Sequence, residues 1–113
     1  MKIKKSEFKA SVENYLMTLY RKNVEDATRQ QMFQAVSYAI KEYVVDDWFE
    51  SHKAIEEKDG KIVYYMSMEF LMGRALGNNL LNLCGYQEVK EALDEMGSFS
   101  RNALDFFIFS FQN

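Results

Sequence analysis

The chain has 113 residues, a formal net charge of −3, a pI near 5.2 and a single cysteine. That length makes one domain with a feasible core, burying about two thirds of the surface its unfolded form exposes. The acidic balance gives no basic field for nucleic acid, and no Lys/Arg cluster alternates with aromatics as a base-stacking groove requires. With Cys84 alone, an internal disulfide and a cysteine-rich zinc site are both excluded, and a reduced, cytoplasmic setting is expected.

The N-terminal MKIKKSEFKASVENY carries lysines but lacks the apolar core and small-residue cleavage site of a signal peptide. No run approaches the roughly 20 apolar residues of a spanning helix, so no membrane segment is expected. Proline is absent and there are five glycines, so long helices are expected. Phe8, Val12, Leu16 and Leu19 recur at helical spacing after Ser6, a candidate N-cap, and predict an amphipathic helix from Ser6 to about Arg21. Tyr15 and Tyr20 widen its stripe, and the neighbouring lysines form a solvated face. The period breaks at Lys22 to Glu25.

A second helix starts between Asp26 and Thr28, where Thr28 followed by Gln31 has capping-box spacing. Phe33, Val36, Ile40, Tyr43, Val44, Trp48 and Ile55 read as one continuing stripe, and Gly60 is placed to close the helix in the left-handed conformation. Trp48 reads as a core anchor. His52 lies off the stripe among charges, with no second His or Cys nearby for a metal, and reads as surface.

From Ile62 to Phe70 the residues are almost all β-branched, aromatic or Met, the pattern of a strand covered on both faces in a parallel sheet. Glu69 is the one charge in that run. Two readings stand: a site residue beyond the carboxyl end of a strand, where open α/β sheets gather ligands, or a carboxylate stabilising the start of the next helix. Two helices follow, roughly Met72 to Leu83 and Gln87 to Met96, with Gly85 and Gly97 at their ends. Leu76, Leu80 and Leu83 make the first stripe; Val89, Leu93 and Met96 make the second. Gly73 and Gly77 would admit a close backbone approach, and Cys84 reads as a small packing residue. GRALGNN lacks the Lys and Ser/Thr of a phosphate loop, and Arg74 is placed to hold an anion or, structurally, Glu69. Residues 98–113 change character: Leu104, Phe106, Phe107, Ile108, Phe109 and Phe111 leave no polar outward face and require a cover.

The run YYMSMEFLMGRALGNNLLNL, continued by GYQEVKEALDEMG, resembles the N-terminal part of the glycogen and maltodextrin phosphorylases, with Asn23-Val24 and Asp47-Trp48 at matching upstream positions. The resemblance covers roughly Ser6 to Gly97. It implies a parent enzyme several-fold longer, with two α/β domains around a cleft, a homodimeric assembly and pyridoxal phosphate bound as a Schiff base to a lysine. Such enzymes cleave the terminal α-1,4 bond of a glucan with phosphate to release glucose 1-phosphate, the cofactor carrying the hard chemistry.

By the same alignment Glu69 matches an acid lining the substrate pocket. Leu71 matches a cofactor-proximal position where animal enzymes carry tyrosine, so that aromatic contact is not kept. His52, Lys53 and Glu56 fall where animal enzymes bind a nucleotide activator through two glutamines and a tyrosine, so that site is expected to be absent. The family's glycine-rich phosphate segment, its cofactor lysine and its basic residues do not follow. These points predict a catalytically inactive N-terminal fragment over 1–97 with a divergent aromatic tail over 98–113, and no cofactor bound to the chain itself. The fold expected is mainly α, four to five helices with one short strand. The alternative function is a helical interaction module that self-associates through its tail and its unpaired strand.

Overall fold

The computed structural model describes residues 2–70 and 75–96. The chain is mainly α, as expected: α1 (Lys5–Tyr15) runs into a π-helical turn (Leu16–Tyr20), followed by α2 (Arg29–Glu57), α3 (Ala75–Asn82) and α4 (Tyr86–Glu95). The first element is the middle of the bundle, packed against both α2 and α4, while α3 leans on α4. Its apolar stripe explains this. Phe8, Val12 and Leu16 are fully buried, and they meet Met32, Val36 and Ile40 from α2, Leu80 from α3, and Val89 and Leu93 from α4.

Several ends differ from the sequence reading for local reasons. Ser6 is not the N-cap; Lys4 holds that position without a side-chain bond. Ile3, 1% exposed, is pinned in the core just upstream, so the helix begins as soon as the chain leaves that anchor. The stretch expected to be α to Arg21 widens after Tyr15 into the π turn, where the Thr18 hydroxyl donates to the Asn14 carbonyl at 2.8 Å and competes with the backbone ladder. Asn23 then caps a turn by accepting from the Asp26 backbone N–H at 2.9 Å.

The start of α2 is the predicted capping box. Thr28 Oγ1 accepts from the Gln31 N–H at 3.3 Å, and Gln31 Oε1 accepts from the Thr28 N–H at 3.0 Å. Its end is one residue off the prediction. Asp59, at φ 48°, takes the left-handed position, while the Gly60 N–H reaches the Ile55 carbonyl at 2.9 Å. α3 closes the same way: Cys84 has φ 53° and the Gly85 N–H bonds the Leu80 carbonyl at 3.0 Å. Cys84 is exposed there, so it is not the packing residue expected.

Glycine at 85 answers a steric need instead. A Cβ there would collide with the buried Ile3 side chain. Gly85→Ala is therefore expected to destabilise by about 1–3 kcal/mol through overpacking, read as a lower denaturant midpoint. An added Ile3→Val substitution should recover part of the loss.

The larger departures lie in α2 and beyond it. Only the first half of α2 is buried; the apolar residues after Tyr43 are exposed, including Trp48 at 58% and Phe49 at 64%, so Trp48 is not a core anchor. No strand is present among the described residues. Ile62 to Phe70 is extended but unpaired, and every residue from Lys61 to Phe70 is exposed, with Val63 at 92%. A strand needs backbone partners on its edges, and an apolar run covered on both faces needs two further layers. The bundle supplies neither. Gly73, Arg74, Gly97 and the aromatic tail lie outside the described residues.

Candidate functional site

Glu69 stands at the end of the exposed run, on a local bend. The Ser67 hydroxyl donates to the Glu69 carbonyl at 2.8 Å and accepts from the Glu69 N–H at 3.3 Å, turning the chain at Met68. Across the bend the rings of Tyr65 and Phe70 meet edge to face, with centroids 5.8 Å apart. These contacts shape the backbone but bring no other functional group to the carboxylate. Leu71 and Arg74 lie outside the described residues, so the Glu69–Arg74 pairing is not part of the described structure. His52, Lys53 and Glu56 sit on the exposed half of α2; the His52 ring lies against Trp48 at 4.4 Å, and Lys53 reaches Glu57 at 3.8 Å.

Two polar clusters were not anticipated. Tyr15 Oη and Ser11 Oγ both donate to the Glu42 carboxylate, at 2.7 and 2.8 Å, while Tyr15 stacks on Tyr38 with centroids 5.4 Å apart. Beside them a cleft of about 290 Å³ is lined also by Lys41, Val45 and Asp46. At the other side of α1, Lys5 Nζ lies 2.6 Å from Glu95 and 3.8 Å from Glu91, and Lys9 Nζ lies 3.1 Å from Glu95. The signal was present in the spacing. Ser11 and Tyr15, Lys5 and Lys9, and Glu91 and Glu95 are each four apart, which puts both members of a pair on one helix face.

These contacts set the protonation behaviour. The hydrogen bond to Lys5, seconded by Lys9, holds the Glu95 carboxyl below its ordinary 4.5, and the reciprocal bond to Glu95 raises Lys5 above 10.5. Tyr15 is raised above 10.0 by its bond to Glu42, and Tyr43 by burial first and then by the charges of Glu7 and Glu42. A depressed carboxyl stabilises the fold above its unfolded value and loses that as pH falls through its folded value. A raised lysine or tyrosine stabilises below its unfolded value and loses that as pH rises. The melting temperature is therefore expected to be flat from about pH 5 to 9 and to fall on both sides, more on the alkaline side, where three groups contribute. Glu95→Gln should flatten the acid limb while leaving the tyrosine-driven alkaline loss, as thermal melts across pH would show.

A further cleft of about 380 Å³ is lined by Glu13, Met17, Lys22, Asn23, Val24 and Glu25, and another of about 440 Å³ by Lys2, Asp47, Asn82, Leu83 and Cys84. Each of the three clefts offers one lysine beside at least one carboxylate. A group bearing both an aldehyde and a phosphate dianion needs an amine and additional positive charge together, so these donor sets do not fit pyridoxal phosphate. Among the described residues no group of His, Cys, Asp and Glu is arranged to hold a metal ion, and no helix is long and apolar enough to cross a membrane.

No family model and no solved structure matches the chain. Individual relatives do. A glycogen phosphorylase of Chlamydia trachomatis is 41% identical over 73 residues, 65% of this chain and 9% of the relative. That of Bacillus subtilis is 36% identical over 77 residues, 67% and 10% of the two chains, and the brain form of Bos taurus is 30% identical over 92 residues, 81% and 11%. The chain thus spans about a tenth of the length of the relatives it matches. With this identity carried over most of its own length, the chain belongs to the glycogen phosphorylase family as a segment corresponding to the N-terminal part.

Proposed function

We propose that the chain represents the N-terminal part of a pyridoxal-phosphate-dependent α-1,4-glucan phosphorylase, which converts glucan and phosphate to glucose 1-phosphate in the cytoplasm, and that alone it is inactive. The observation that carries this is the state of the Glu69 segment. A site carboxylate works when its surroundings are dry and preorganised, yet Glu69 closes a run in which every residue is exposed. The covering layers, the cofactor lysine and the phosphate-binding cations belong to the remaining nine tenths of such an enzyme. Within the complete enzyme Glu69 lines the substrate pocket and Leu71 lies near the cofactor without contributing an aromatic ring. In that setting pyridoxal phosphate would be held by groups outside this chain and would supply the proton-carrying phosphate; what this chain contributes is the acid and the extended run that bears it.

The test is an assay of the purified 113-residue chain with maltodextrin, inorganic phosphate and pyridoxal phosphate, with the full-length Bacillus subtilis relative as positive control. The expected result is no glucose 1-phosphate above the protein-free rate. Phosphate-dependent formation by the chain overturns the claim of inactivity.

A second reading, a non-enzymatic helical module that self-associates, draws on the amount of exposed apolar surface. It cannot work through a preformed strand, because residues 62–70 form none. The tail through which it was also expected to act lies outside the described residues.

A further inference from the structure

One stretch of backbone joins α1 and α2 to α3 and α4, and its described part is bare. From Lys61 to Met66 the chain is extended, and among the described residues no backbone hydrogen bond ties it to the bundle. Its side chains stand clear of the bundle as well, Tyr64 at 80% exposure and Tyr65 at 78%. Exposed rings alone are not the distinction, since Trp48 and Phe49 are exposed too. Those two sit inside α2, where the helical ladder holds each peptide group.

We infer that the peptide bonds after Tyr64 and Tyr65 form an endoproteolytic site, open to a protease with an apolar specificity pocket, and that the cut chain stays assembled. A protease cleft holds its substrate extended and pairs with its backbone as with an added strand, so a segment already extended and unpaired enters without unfolding. The tyrosine ring fills the pocket. Water then adds its oxygen to the carbonyl carbon of Tyr64 or Tyr65, the C–N bond breaks, and the freed amine takes the proton. A helix must open before it can enter the same cleft, so Trp48 and Phe49 are shielded by their backbone.

Assembly after the cut follows from where the contacts run. α1 belongs to one piece and α4 to the other, yet Phe8 and Val12 share the core with Val89 and Leu93, the buried Ile3 lies against Gly85, and Lys5 and Lys9 clasp Glu95. None of these contacts passes through the run. The site does not rest on the glucan reading, whereas its selectivity does: apolar layers closed over the run would bar the protease, so only uncovered chains lose the tether between α2 and Glu69.

The test is brief digestion of the purified 113-residue chain with chymotrypsin, the cuts placed by mass spectrometry, with a synthetic peptide of residues 61–70 as the unfolded reference. Cleavage after Tyr64 or Tyr65 should run within about tenfold of the peptide rate, and at least about a hundredfold faster than cleavage after Trp48 or Phe49. Below the unfolding transition, added urea should leave the first rate unchanged relative to the peptide and raise the second. The two pieces should elute together at about 10 μM with their helical circular dichroism retained, and part only in denaturing urea. Tyr64→Asp combined with Tyr65→Asp should slow cleavage there at least about tenfold without moving the melt, since neither residue packs on the core. Protection like that of Phe49, a rate that climbs with urea as the chain unfolds, pieces that separate or lose helix on cutting, or a melt lowered by the double substitution would each overturn the proposal.

Discussion

Phe8→Ala should cost about 3–5 kcal/mol and leave the chain largely unfolded at 37 °C. Phe8 is fully buried on α1, the element that α2 and α4 share, so the void opens where three helices meet and cannot be filled by a shift of one neighbour. Small domains hold roughly 5–15 kcal/mol in total, and one of this size has little reserve. Phe8→Leu keeps most of the volume and should cost less than about 1.5 kcal/mol. Urea titrations followed by helical circular dichroism distinguish the two; equal midpoints for Phe8→Ala and Phe8→Leu would show that α1 is not the centre of the core.

Val36→Asp should be at least as damaging, whereas Phe49→Asp should be nearly neutral, although both put a carboxylate in place of an apolar residue on the same helix. Val36 is 2% exposed among α1 and α2 side chains, and no buried polar or charged residue lies nearby among the described residues to compensate a charge. An uncompensated buried charge costs about 3–5 kcal/mol or forces a protonated carboxyl into the core. Phe49, at 64% exposure, loses little contact, and its replacement should change stability by less than about 0.5 kcal/mol. Thermal melts of the two variants at neutral pH make the comparison; a similar loss in both would mean that α2 does not divide its faces as described.

The parts of the fold decided within one helical turn were legible from the sequence. The Thr28–Gln31 box is a local exchange between two side chains and two backbone groups, and the Phe8, Val12 and Leu16 stripe needs only the helical repeat to be read. Helix closure was legible to within one residue, because the motif places the left-handed position just before the glycine rather than on it, and Asp59 and Cys84 tolerate it. The two faces of α2 were not separable in advance. Apolar residues at 36, 40, 43, 44 and 48 drift around the helix in small steps, so one stripe and two stripes look alike until the packed partner is known. The run from Ile62 to Phe70 is the opposite case. Its composition reports the surroundings it suits, two apolar layers and two paired edges, and those surroundings are not among the described residues. The position of Glu69 in the chain was readable; what its carboxylate faces depends on groups outside the described residues.

The clasp of Lys5 and Lys9 on Glu95 joins residues some ninety positions apart, and the central helix is otherwise capped by α4. A ribosome extends a chain at roughly 5–20 residues each second, so α1 and α2 are made several seconds before the helix that seals them. Until α4 has cleared the exit tunnel, Phe8 and Val12 keep one flank open to solvent, and the nascent helical pair must be held by its own contacts or by a chaperone.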